Sequence, residues 1–382
     1  MRKGTVETVA LEAEPCGWKS GGQVSLPVRS PPVSVVVVNY NGEHYLGECL
    51  RAILAQEPAP AEVLVVDNAS TDGSRARLEP FGERVRWLGL ERNDGPSPAR
   101  NHGLAQAAHE WVLLVDNDAV LTPGTLAALL EAALSRPDAA LVQPRSVFFD
   151  EPTRVHYDGG RFHYCGLISL ANFYVPLSQA QCTGTLERDC AVSVVLLARR
   201  STLLQLGGFE PRYFILFEDL DLSYRLRLAG HTILSVEDAL VLHKGGTGGI
   251  SFRKGPRYPA RRVFLHARNR WIFLVRNLSL VTLVCALPGL LLYELAGFVF
   301  ALLALAPHQW LLGKLDCLRM LPALLSERRR IQATRRTSDR ALLPVVPLTV
   351  TPDARRGLRG VAERALSAAL SAWWHLARIL LP

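Results

Sequence analysis

The 382-residue chain contains no Cys-x-x-Cys pair. Its seven cysteines, at 16, 49, 165, 182, 190, 285 and 317, are odd in number and scattered. Neither a zinc ribbon nor a dithiol redox pair is supported. Residues 1–31 contain no apolar h-region and are rich in Gly, Pro, Ser and Glu. They read as a loose tail without a secretory signal, and a reduced, cytoplasmic compartment is expected. No internal repeat or low-complexity tract is visible. Acids are missing from Ser251 to Asn277, where eight Lys or Arg fall, and Glu294 is the only charge in 278–306.

What is present is a chain with 49% apolar residues and a net charge of +8, long enough for one large or two ordinary domains with a full core. A second basic cluster runs through Arg328, Arg329, Arg330, Arg335, Arg336 and Arg340. Two basic clusters suit nucleic acid by charge alone. The apolar run between them points instead to an anionic membrane face, and no nucleic-acid partner is expected. That run exceeds the length a membrane span needs. Pro288-Gly289 is expected to break it, and basic residues on both flanks oppose a single crossing. A membrane-associated helical hairpin over 251–345, re-entrant or interfacial, is therefore expected. Residues 346–382 read as an amphipathic helix carrying Trp373 and Trp374. It either lies in the headgroup layer or packs on the globular domain.

Residues 32–250 alternate strand and helix. Val33–Val38, Val63–Asp67, Val85–Leu88 and Trp111–Asp116 are short apolar runs of the kind that form buried parallel strands. Helical spacing follows over Glu43–Gln56, from Ser74, over Ser97–Ala108, and over Thr122–Leu134 with Pro123 in a favoured first-turn position. This order predicts a parallel α/β sheet with right-handed crossovers. Ligands bind such sheets at the carboxyl ends of the strands, where Asn39, Asp67 and Asp116 fall. Residues 145–190 lose the rhythm and read as irregular or hairpin structure, a lid or acceptor-facing insertion. A strand over Ala191–Ala198, a turn at Gly207-Gly208-Phe209, and a helix over Asp219–Leu228 ended by Gly230 follow. Strands at Thr232–Ser235 and Ala239–His243 close the domain.

The acidic residues carry the chemistry. Asp116-Asn117-Asp118 ends a buried strand. Carboxylates there suit a divalent Mg²⁺ or Mn²⁺ in an all-oxygen site, which offsets the charge of a diphosphate leaving group. Phe217-Glu218-Asp219-Leu220-Asp221 opens a helix with three carboxylates. A carboxylate there is stabilised as an anion by the helix dipole and is placed to act as a general base.

Together, several segments resemble family 2 glycosyltransferases, in particular bacterial rhamnosyltransferase-like members. They are Val-Asn-Tyr-Asn at 38–41, Val-Asp-Asn-Ala-Ser-Thr-Asp-Gly-Ser at 66–74, Ala-Arg-Asn-His-Gly-Leu at 99–104 and Asp-Asn-Asp at 116–118. Gly-Gly-Phe-Glu at 207–210, Phe-Glu-Asp-Leu-Asp-Leu at 217–222 and Val-Leu-His-Lys-Gly-Gly at 241–246 complete the set. The resemblance implies a GT-A fold, a Rossmann-like nucleotide-binding mixed sheet, followed by the C-terminal membrane-associated helical region. It implies inverting, metal-dependent transfer from a dTDP-, UDP- or GDP-linked sugar, with a deoxysugar donor favoured. The implied acceptor is a lipid-linked saccharide at the cytoplasmic face of the cell membrane, in polysaccharide or glycolipid synthesis. Asn39, Tyr40, Asn41, Asp67, Asn68, Arg100 and Asp116 match the donor-nucleotide site, with Asn68 standing where the family carries a second carboxylate. Asp116, Asp118 and His243 match the metal site. Asp219 matches the general base, with Glu218 beside it, and Asp221 orients a loop or the acceptor, or is simply helix-start charge. Ala267-Arg268-Asn269-Arg270-Trp271 is similar to a motif of processive synthases but has Ala267 in place of Gln, which argues for single-sugar transfer. Arg270 and Trp271 are expected to seat the domain on lipid. The alternatives are a non-catalytic membrane-bound sugar-nucleotide-binding protein and a nucleotidyltransferase. The latter lacks its Gly-rich, Arg-containing loop at 39–43.

Overall fold

The computed structural model describes residues 30–180, 184–245, 258–350 and 357–382. Most of the expected N-terminal tail, Gly246 and the first part of the basic cluster before Tyr258 lie outside these residues. From the N-terminus the elements are β1 (Val33–Asn39), α1 (Leu46–Leu54), β2 (Glu62–Asp67), β3 (Arg86–Gly89), α2 (Pro96–Gln106), β4 (Trp111–Asp116), β5 (Ala119–Leu121) and α3 (Thr125–Ser135). They continue with β6 (Ala139–Phe148), β7 (Val155–Tyr157), β8 (Gly160–His163), β9 (Leu167–Leu170), β10 (Thr185–Arg188), β11 (Val195–Arg199), α4 (Arg200–Gln205), α5 (Glu218–Leu228) and β12 (Thr232–His243). Helices complete the chain: α6 (Ala260–Asn277), α7 (Leu280–Leu303), α8 (Pro307–Arg319), α9 (Leu321–Ala333), α10 (Asp339–Leu342) and α11 (Gly357–Ala377).

The main sheet has the order β10-β12-β6-β11-β4-β1-β2-β3, with β5 and β7 paired to β12 and β6. β1 pairs in parallel with β2 and β4, and β2 with β3, as the buried β-branched runs require. Asn39 lies opposite Asp67, and Val38 opposite Asp116. The register therefore brings the three polar strand ends to one edge. β11 runs antiparallel to β4, so the sheet is mixed.

Several local expectations are corrected. β6 is a ten-residue strand, all but its last residue buried, in a stretch where no strand is expected. Gln143, Pro144 and Arg145 hide it by interrupting the apolar pattern. β11 pairs with β6 only at Leu141 and Val142, so Pro144 need not donate there. Arg145 is buried but paired with Asp158 and Glu237, each at 2.8 Å. The expected strand pair at 232–243 is one strand, with register shifts that include one between Val236 and Leu240. β11 begins at Val195 rather than Ala191. A kinked 3₁₀ segment over Arg75–Arg84 replaces the helix expected from Ser74. α3 begins at Thr125, because Gly124 takes a left-handed conformation (φ 81°), and this leaves Pro123 outside the first turn. Residues 145–190 do contain the hairpin expected there, formed by β8 and β9.

α7 does not break at Pro288-Gly289. It is one helix of 24 residues. Gly289 packs against Tyr164, where a Cβ would lie 2.1 Å from the phenol oxygen. The glycine thus serves close approach rather than interruption. α11 packs on α7 and the globular part. Trp374 is buried and stacks on Tyr164 at 4.4 Å, and its Nε1 donates to Leu343 O. One apolar cluster joins Tyr213, Phe217 and Tyr224 to Ile272, Phe273, Leu290 and Trp374. Arg270 is buried, not lipid-facing. Arg270, Trp271 and Lys314 all converge on Oε1 of Glu294, which fastens α7 to α6 and α8.

Candidate active site

The strand ends form a hydrogen-bonded floor. Asn39 Nδ2 donates to Asp67 Oδ1 at 2.7 Å, and Asn117 Nδ2 donates to Asn39 Oδ1 at 2.7 Å. Ser70 donates its backbone N–H to Asp67 Oδ2 at 2.9 Å and accepts from the backbone N–H of Asn41 at 2.8 Å. Asp67 is thus buried and committed to internal partners. Asp72 accepts from the backbone N–H groups of Glu43 and Ser74, so part of the 66–74 segment does turn work. Tyr40 and Asn41 stand exposed at the rim. Asn68 is buried; its Nδ2 donates to Gly95 O at 3.1 Å, while its Oδ1 has no partner among the described residues.

Arg100, projecting from α2, links the second layer. It is buried, donating to Asp116 Oδ1 at 2.6 Å, to Ser193 O at 3.0 Å and more loosely to Glu218 Oε1 at 3.4 Å. It therefore ties β4 to the acidic start of α5. Glu218 is buried with Oε2 unpartnered among the described residues. Burial, then the neighbouring Asp219 charge, pushes its carboxyl up to about 7. Asp219 is half-buried and accepts from the Leu220 N–H at 2.8 Å and the Ser193 N–H at 3.4 Å. Burial raises its carboxyl above the ordinary aspartate value.

Asp118, in the turn before β5, and His243, at the end of β12, face each other with Oδ2 and Nε2 3.4 Å apart. Burial would raise the Asp118 carboxyl, but His243 and backbone N–H groups outweigh it and hold it below the usual value. Behind His243, its Nδ1 meets Tyr157 Oη at 3.3 Å and His156 Nδ1 at 3.1 Å. Among the described residues no three His, Cys, Asp or Glu side chains converge as a ready-made metal cage. Asp118 and His243 offer an oxygen and a nitrogen at one opening. That pair suits a divalent ion whose remaining ligands come from a diphosphate and water.

The structure thus brings Asn39, Asp67, Arg100, Asp116, Glu218 and Asp219 together, with Asp118 and His243 alongside. Asp221 stands apart. It is fully buried, accepting from Tyr213, Arg225, Arg276 and Asn277, so it neither orients an acceptor nor serves as surface charge at the helix start. Sequence reasoning missed Asn117, Ser70 and Ser193. Asn117 was legible as the middle residue of the 116–118 segment; Ser193 contributes only backbone atoms and leaves no side-chain signal.

Residues 34–187 match glycosyl transferase family 2, and residues 111–313 match glycosyl transferase family group 2. The chain belongs to glycosyltransferase family 2. This glycosyltransferase is 30% identical over 264 residues to an N-acetylglucosaminyl-diphospho-decaprenol L-rhamnosyltransferase of Mycobacterium tuberculosis, covering 63% of this chain and 83% of that protein. It is 28% identical over 251 residues to galactofuranosyltransferase GlfT1 of the same organism, covering 62% and 80%. A crystal structure of GalNAc-T7 with UDP, GalNAc and Mn²⁺ superposes with a TM-score of 0.53 at 15% identity, over 69% of this chain and 51% of that one. That likeness establishes the GT-A fold alone. Family membership leaves the nucleotidyltransferase and non-catalytic alternatives without support.

Proposed function

We propose that this glycosyltransferase moves a sugar, with inversion, from a nucleoside-diphosphate donor to a lipid-linked saccharide at a membrane surface. The observation that carries this reading is the half-buried Asp219 carboxylate at the start of α5, beside the Arg100–Asp116 pair and the Asp118–His243 opening. The acceptor hydroxyl attacks the anomeric carbon from the face opposite the diphosphate. Its proton passes to Asp219 as the new glycosidic bond forms, and the bond to the diphosphate oxygen breaks with its electron pair leaving on that oxygen. Asp118 and His243 would hold a divalent ion, with Asp116 kept in place by Arg100. Such an ion, when bound, offsets charge on the departing diphosphate. The M. tuberculosis relative, an N-acetylglucosaminyl-diphospho-decaprenol L-rhamnosyltransferase, supports the acceptor class. The test is nucleoside diphosphate release from UDP-, dTDP- and GDP-sugars with Mn²⁺ or Mg²⁺ and membrane lipid extract. Release that requires both metal and extract is expected. Release without extract, at the same rate, would remove the lipid-linked acceptor.

The membrane placement rests on surface chemistry. Among the described residues, the exposed large apolar side chains other than Tyr40 and Leu204 all fall between Leu280 and Leu380. α7 is long and apolar enough to cross a bilayer. It is nevertheless fastened along its length: Thr282 to Asp339, Gly289 at Tyr164, Glu294 to Arg270 and Lys314. These contacts favour a helix lying along the headgroup layer with its outer face in the acyl region. Leu291→Asp with Leu295→Asp, both on that outer face, is expected to abolish co-flotation with vesicles containing anionic lipid while leaving thermal unfolding unchanged. Full co-flotation of the double variant would count against the placement.

A further inference from the structure

Three residues just before the base have left-handed backbone without being glycine: Phe214 (φ 62°), Leu216 (φ 71°) and Phe217 (φ 76°). Side chains disfavour that region, and such strain persists only where the surroundings over-determine it. Here one side chain reaches three carbonyls of the turn. Asn269 of α6 is fully buried, and its Nδ2 lies 2.9 Å from Tyr213 O, 3.0 Å from Ile215 O and 2.9 Å from Leu216 O. Its Oδ1 accepts from Arg268 Nε at 2.9 Å, which fixes the amide with its nitrogen toward the turn. Arg268 donates in addition to Arg212 O at 2.8 Å and Tyr213 O at 3.0 Å. The start of α2 also closes in: a Cβ on Gly95, just before that helix, would lie 1.9 Å from Phe214 O. The turn is therefore held by two helices, and it ends at Glu218 and Asp219.

We propose that Asn269 is a positioning residue for Asp219, acting through the carbonyls of the strained turn and not through substrate. Without its amide, the turn is free to relax toward negative φ, which rotates the peptide planes leading into α5 and displaces the carboxylate. A shift of about 1 Å at a reacting group costs up to ~10²-fold in rate. The donor floor at Asn39, Asp67 and Asn117 is built from other elements and is unaffected. This assignment rests on Asp219 being the base, so Asp219→Asn is assayed alongside.

Asn269→Ala is expected to lower kcat by about 10²-fold. Binding of whichever of UDP, dTDP or GDP the wild type takes with Mn²⁺ is expected to keep its stoichiometry and Kd. Leu216→Gly added to Asn269→Ala is expected to recover part of kcat, because glycine adopts positive φ without strain. A loss of general stability would not be repaired by a more flexible residue. Leu216→Val alone, which makes the left-handed conformation harder, is expected to lower kcat with binding intact. If Asn269→Ala does not fold, Leu216→Val decides the matter: unchanged kcat overturns the proposal. Full kcat in Asn269→Ala, a kcat loss matched by lost binding stoichiometry, or no recovery with Leu216→Gly would each overturn it as well. An inactive Asp219→Asn beside a fully active Asn269→Ala removes the positioning role and leaves the base; an active Asp219→Asn removes the base itself.

Discussion

Asp219→Asn is expected to lower kcat by about 10²–10⁴-fold, the range a single general base contributes. The amide keeps the volume, and its one oxygen can still accept from the Leu220 N–H at 2.8 Å; only the longer 3.4 Å contact from the Ser193 N–H, made to the other carboxylate oxygen, is given up, so the start of α5 should hold its shape. What it cannot do is take the acceptor proton. Nucleoside diphosphate affinity is expected to stay the same, because the floor of the donor site lies on β1, β2 and β4. Glu218 is a poor substitute because it is buried and faces Arg100. The base works ionised, and burial raises the Asp219 carboxyl, so wild-type kcat should fall as pH drops through that raised value. A variant retaining kcat within tenfold of wild type would count against the assignment.

Asp221→Asn is expected to act on folding instead, with a loss of ~3–5 kcal/mol, the cost of breaking a buried charge pair on one side. Asp221 accepts from Arg276 at 2.7 Å, Arg225 at 2.8 Å, Asn277 at 2.8 Å and Tyr213 at 3.0 Å. It thereby joins the catalytic helix to α6. Burial alone would raise its carboxyl, but Arg276 and Arg225 more than reverse that and hold it at about 2. A native value below the unfolded 3.8 means that the stabilisation is complete above 3.8 and is lost as pH falls toward 2. The stability gap between wild type and Asp221→Asn should therefore be widest near neutral pH and close on acidification. Urea unfolding of both proteins across that pH range measures it. A gap of constant size would mean that the carboxylate charge is not what Asp221 contributes. Asp219 and Asp221 are two positions apart on one helix, yet the first is expected to govern rate and the second stability.

The two aspartates also mark the limit of what local sequence conveys. Both belong to the same acidic helix start, and nothing within that segment distinguishes them. The difference comes from Arg276 and Asn277, more than fifty residues later, which meet Asp221 only after α6 docks on α5. β6 was hidden for a similar reason. Gln143 and Arg145 read as surface residues until Asp158 and Glu237 arrive to neutralise the arginine inside the sheet. Pro288-Gly289 carries a breaker signal, and only the approach of Tyr164 gives the glycine its other use.

The sequence by itself determined the parallel core, the strand ends at Asn39, Asp67 and Asp116, the placement of Asp219 at a helix start and the apolar character of α7. These follow from short-range terms: β-branched runs, turn residues and helical spacing act within a few positions of each other. Only the tertiary structure decided which carboxylate is partly open and which is locked, that Arg100 bridges β4 to α5, and that Asn269 grips the turn before the base. Those outcomes depend on which groups lose water together when distant segments pack, and a buried charge or amide takes its role from the partner it finds there.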